Sequence, residues 1–116
     1  VKLCKCKQPI AKGSKTRCKD CDAEYKWYYN QKKRFNLDKE DLDKMFVDQQ
    51  GCCAICTHPF VNQRPAVDHC HITNKVRGLL CQKCNTAIGL LEDNITSLEN
   101  AIKYLKNEPL SETSFP

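Results

Sequence analysis

The chain has 116 residues, 41% of them hydrophobic, and 19 Lys and Arg against 14 Asp and Glu give a net charge of +5. That length suits one domain with a core too small to stand without a further brace, and no run is apolar enough for a membrane-spanning helix. Ten cysteines, mostly in closely spaced pairs and with no apolar signal-like start, predict zinc in a reducing cytoplasm rather than disulfides in a secreted protein.

The N-terminal stretch carries Cys4-x-Cys6 and, after a turn at Gly13 and Ser14, Cys18-x2-Cys21. Four thiols so spaced predict a Cys4 zinc lobe, and a segment this short needs such a staple to fold. The competing readings are free thiols in a mobile arm and Cys70 as an alternative ligand. From Asp22 to Phe35 the chain lacks Gly and Pro and reads as a helix, with Tyr25, Trp27, Tyr28 and Tyr29 among cations. Trp27 and most of the tyrosines are expected in the core, and Lys32, Lys33 and Arg34 are the nucleic-acid candidates. Residues 1–35 hold eleven Lys and Arg against three Asp and Glu, and residues 51–90 four against one, whereas residues 36–50 and 91–116 are each net acidic. Basic charge gathered in an arm and around one segment is the footprint of a protein that meets a polyanion, although a solvated basic helix has the same composition.

Asp38-x-x-Asp41 reads as a capped helix start, followed by an apolar stripe of Leu42, Met45 and Phe46 expected in the core. Two C-x2-C knuckles come next, Cys53/Cys56 and Cys81/Cys84, and they form the ligand set of a second structural zinc. Such a site closes tetrahedrally and leaves no open position, so any chemistry must lie beside it. Around the motif, Ala66 to His71 suits one strand, Lys75 to Leu79 a returning strand, and Gln82 to Leu91 a helix. The first strand carries Asp68, His69 and His71, and Asn85 follows the last thiol. Carboxylate and amide oxygens are hard ligands for Mg2+ or Mn2+, and a neutral imidazole takes a proton from water. His71 shares a strand face with His69, so a phosphate contact competes for it with packing. Arg77 on the returning strand is a candidate phosphate clamp, with a hairpin brace as its alternative. Thr96-x-x-Glu99 reads as a capping box opening a last helix with Leu98, Ala101, Ile102 and Leu105 on one face, suited to sealing the core or to a dimer contact.

Gly51-x-Cys53-Ala54-Ile55-Cys56, Val67-Asp68-His69-Cys70-His71 and Val76-Arg77-Gly78-Leu79-Leu80-Cys81-x2-Cys84-Asn85 together resemble the phage recombination endonuclease VII family, a branch of the HNH or ββα-metal nucleases. The resemblance implies a small zinc-stabilised α+β fold, a ββα-metal (HNH) nuclease core with an N-terminal Cys4 zinc lobe and flanking helices. It implies His69 as general base, Asp68 and Asn85 as ligands of a catalytic Mg2+ or Mn2+, DNA as substrate, products with 5′-phosphate and 3′-hydroxyl ends, a homodimer, and, for a phage-encoded chain, the host cytoplasm. The chain departs from the family pattern at Asn74, where Gly is frequent, and at Ile88, where the best-known members carry an acidic residue. The expected organisation is a zinc lobe with a basic aromatic helix over 1–36, a zinc-braced HNH core over 37–108, and a mobile tail over 109–116. A sequence-specific HNH restriction or homing-type nuclease and a non-catalytic zinc DNA-binding module are the competing functions.

Overall fold

The computed structural model describes residues 3–14, 16–61 and 63–109; the expected tail, from residue 110 on, lies outside them. The elements in chain order are α1 (Lys19–Phe35), α2 (Lys39–Asp48), β1 (Ala66–His69), β2 (Val76–Leu80), α3 (Gln82–Leu90) and α4 (Ile95–Lys106), with β1 and β2 forming a two-stranded sheet. This is a small α+β fold. The chain divides into two compact units, one drawing on the residues through Asp48 together with His69–Val76, the other on Gln49–Asp68 together with the chain from Arg77 onward.

In the first unit, α1 begins three residues before the predicted helix because Cys18 caps it, its thiol accepting the Cys21 N–H at 3.4 Å. Asp20 and Asp22 sit in the first turn and Lys32, Lys33 and Arg34 in the last, both favourable to the helix dipole. Asn36 ends the helix in the left-handed region, a conformation Asn tolerates. The helix buries Gln31 and half-buries Trp27 and Tyr28, whose hydroxyl donates to Asp43 at 2.8 Å. Tyr25 and Tyr29, expected in the core, are about half exposed and stack on each other one turn apart, at 6.2 Å between ring centroids. The guanidinium of Arg17 lies over the Tyr25 ring, 3.6 Å from its centroid. Helix α2 starts as predicted: the Asp38 N–H donates to the Asp41 carboxylate at 3.0 Å, one half of a capping box. Of its apolar stripe, Leu42 is buried and Met45 half-buried, but Phe46 is exposed, since a helix this short turns only a narrow strip inward.

The second unit is built on Cys53, Leu80 and Cys81, with Cys56, Phe60, Cys84 and Ile88 packed against them. Its core is therefore largely the thiol cluster itself. The Gln49 side chain supplies what a third strand would: its Oε1 accepts the Leu79 N–H at 2.9 Å, and its Nε2 donates to the carbonyls of Leu79 at 2.9 Å and Cys52 at 2.8 Å. Gly78 makes room for it, because a Cβ there would stand 3.3 Å from Gln49 Oε1. Helix α4 is capped not by Thr96 but by Asn94, whose side chain accepts the Ser97 N–H at 2.9 Å, so the helix opens at Ile95 and Thr96 lies inside its first turn. Asn captures the start because its carboxamide reaches the third N–H beyond it and its neighbours favour a turn. Leu98 and Ala101 are half-buried, while Ile102 and Leu105 are exposed, so only part of the predicted apolar face is covered.

Candidate metal centres and the Asp68 site

The two cysteine sets are built alike. In each, an isolated antiparallel bridge closes a small loop, Leu3 with Pro9 and Cys52 with Pro59. In each, the residue after the second cysteine, Lys7 or Thr57, takes a left-handed backbone. In each, the second pair sits at a helix start, Cys18 capping α1 and Cys81 capping α3 by accepting the N–H three residues on. The loops differ by one residue, since the Cys4 carbonyl accepts from Lys7 and the Cys53 carbonyl from Thr57. Cys-x-Cys is therefore a shortened version of the same knuckle.

Within each set of Cys4, Cys6, Cys18, Cys21 and of Cys53, Cys56, Cys81, Cys84, all sulfurs lie within 4.8 Å of one another, while Cys52 and Cys70 belong to neither set. Backbone hydrogen bonds from Cys6 and then Cys18 lower the Cys4 thiol to about 6. Burial would raise Cys53, but backbone hydrogen bonds from Cys81, Cys56 and Ile55 outweigh it and leave that thiol at about 6 as well. Cys84 is pushed up to about 12, by burial first and then by neighbouring thiols, and Cys21 is raised chiefly by Cys18. Each set thus holds one readily ionised thiol beside two that resist a second charge, Cys6 and Cys21 in the first and Cys56 and Cys84 in the second. A divalent cation removes that conflict, and four soft sulfurs converging on one point fit Zn2+ in a closed structural site.

On β1, Asp68 is the most buried residue of the strand, 7% exposed. Both its oxygens accept from Arg77 on β2, Nε to Oδ2 at 2.7 Å and Nη2 to Oδ1 at 3.0 Å. The same Nη2 donates to Asp93 Oδ2 at 3.2 Å. The guanidinium is held still more firmly protonated than usual, first by Asp68 and then by Asp93. Asp93 comes from the turn between α3 and α4, where Glu92 and Asp93 both adopt left-handed backbone. Nothing in the spacing of that turn pointed to it; an acidic residue among turn formers is ordinarily a surface residue. Asn85 follows Cys84 in the first turns of α3 and is half-buried, and Ile88 one turn on packs into the thiol core.

His69 is half-buried and follows Asp68 directly in the chain, with its ring centroid 5.0 Å from Phe35 and 4.6 Å from His71. The structure thus brings together the two histidines that the strand pattern placed on one face, although β1 ends at His69 and His71 lies in the following turn. Asn74 in that turn is left-handed, which accounts for Asn serving where Gly is frequent. Of the basic trio, Lys32 pairs with Asp38 at 2.8 Å, Arg34 lies 4.9 Å from the Phe35 ring, and Lys33 is exposed.

Fold and cysteine clusters together define a small α+β protein with two Cys4 sets suited to structural zinc. Residues 28–107 match the recombination endonuclease VII family, and the chain belongs to that family. It is similar to the Gene 59 protein of Mycobacterium phage D29, 39% identical over 77 residues, and to the Gene 59 protein of Mycobacterium phage L5, 36% identical over 77 residues. Each alignment covers 65% of this chain and 47% of the relative, so the chain spans about half the length of the curated relatives it matches. No solved structure matches it. Among the described residues no helix is long and apolar enough to cross a membrane.

Proposed function

We propose that the chain is a metal-dependent DNA endonuclease of the HNH type, acting on branched or otherwise distorted duplex. The observation that carries this reading is the placement, within the family-matched segment, of Asp68 and His69 in succession on β1 and of Asn85 beside the thiol cluster that anchors α3. A zinc scaffold alone needs the cysteines and has no use for a buried carboxylate followed by an imidazole.

In this reading β1, β2 and α3 form a ββα-metal unit, residues 37–108 make up the nuclease core, and residues 1–36 add the N-terminal zinc lobe. His69 takes the proton of the attacking water through a ring nitrogen, with His71 supporting it or touching the phosphate. Asp68 and Asn85 would hold Mg2+ or Mn2+, and their oxygens suit such a hard ion. The Arg77 guanidinium stands on both Asp68 oxygens, so an ion held there would share the carboxylate with that cation or displace it. When bound, the ion would neutralise charge developing on the phosphate and the leaving oxygen. Lys32, Lys33 and Arg34 track phosphates without reading bases.

The test is cleavage of matched linear, nicked and four-way DNA with Mg2+ by the wild type and His69→Ala. Cutting of the four-way substrate that His69→Ala abolishes supports the reading. Cutting of linear duplex at one fixed sequence, with the junction ignored, would replace it by the restriction-type alternative. No nicking with any divalent ion would leave a binding module.

A further inference from the structure

Arg77 holds two carboxylates at once, and the sharing is uneven. Asp68 spends both oxygens on the guanidinium, at 2.7 and 3.0 Å, whereas Asp93 receives a single bond of 3.2 Å from a nitrogen already committed to Asp68. Asp68 is buried, Asp93 is about a quarter exposed, and Arg77 reaches solvent at its outer side. An ionised carboxylate as buried as Asp68 needs a cationic partner. Arg77 takes a lone pair of each Asp68 oxygen, so a divalent ion drawn to this carboxylate meets a guanidinium charge already seated on it.

We propose that Arg77 is a latch on Asp68, released onto Asp93 when a divalent cation takes the carboxylate, with Asp93 the positioning residue that retains the guanidinium. The inference rests on the reading of Asp68 as an ion ligand. Its physical basis is the shared Nη2: the guanidinium gives up Asp68 without becoming unpaired, because Asp93 is already within hydrogen-bond reach and its share strengthens as Asp68 withdraws. The latch keeps the buried carboxylate neutralised in the absence of the ion. It also lowers the ion's apparent affinity, because an arriving ion is repelled by the guanidinium until that charge moves toward Asp93.

The test is Mn2+ titration of the zinc-loaded protein, followed by electron paramagnetic resonance of the free ion, so that no cleavage is required. Arg77→Gln should bind Mn2+ tighter by on the order of tenfold, the worth of one charge-assisted hydrogen bond. Asp93→Asn should bind it several-fold more weakly, because the displaced guanidinium then loses its charged acceptor. Simple charge addition predicts the same signs, so the double variant decides: with Arg77 already replaced by Gln, Asp93→Asn should change nothing. Persistence of the Asp93 effect in that background overturns the latch, as does unchanged or weaker binding by Arg77→Gln. If Arg77→Gln does not retain wild-type zinc content, the single Asp93→Asn variant carries the test, and unchanged affinity there overturns the proposal. Asp68→Asn separates the two layers. Wild-type Mn2+ affinity in that variant removes Asp68 as a ligand and the latch with it, whereas lost binding together with an inert Arg77→Gln removes the latch alone.

Discussion

Asp68 and His69 are consecutive, yet their side chains meet opposite surroundings, one a guanidinium and the other two rings. Alternation along a strand produces that division. His69→Ala should therefore lower the cleavage rate by roughly 10²–10⁴, with zinc content and DNA affinity near wild type; a wild-type rate under the same metal and pH removes His69 as the base. The placement of Asp68 and His69 on one strand was legible because the motif fixes them between two knuckles at fixed spacing. Asp93 was not, since its meeting with Arg77 depends on two successive left-handed residues in a turn, a conformation that no local pattern of side chains announces. Tyr25 and Tyr29 were misjudged for a related reason: spacing shows which aromatics share a helix face, but not which face is turned inward.

Helix ends show where local reading works. The Asp38 start was legible because its cap is made within four residues. The α4 start was shifted by two because Asn94 and Thr96 are both capable caps, and the preceding turn favours the first. Asn94→Ala should then cost about 1 kcal/mol and lower the midpoint of thermal unfolding by several degrees, while Thr96→Ala should change it little; equal losses would return the cap to Thr96. Cys81 is a stronger case, being at once a cluster member, the α3 cap and part of the core. Cys81→Ser should lose one zinc per chain and the helical signal of α3, which metal analysis and circular dichroism would record. The Gln49 amide bracing Leu79 was invisible in the sequence, because a glutamine acting as a strand carries no periodic signature.

At the scale of the molecule, two thiol clusters take much of the place of an apolar core: among the described residues, four of the seven buried hydrophobic side chains are cysteines of these sets. We expect two zinc ions per chain on refolding, since structural zinc contributes apparent binding free energy of roughly 10–16 kcal/mol in small modules; a reproducible stoichiometry of one would remove the N-terminal site. DNA binding should weaken steeply with salt and little with sequence, as phosphate contacts from a basic arm require. The homodimer that the family resemblance implies is tested by sedimentation. Cys56 and Cys81 have further meaning as the two ends of a ring. A zinc ion held by the set would tie them together, and the chain between them contains both strands with Asp68, His69 and Arg77. Opening that ring restores the loop-closure entropy of the whole segment at once. A protease offered the chelated protein should therefore cut first between the knuckles, while the zinc-loaded protein stays intact there.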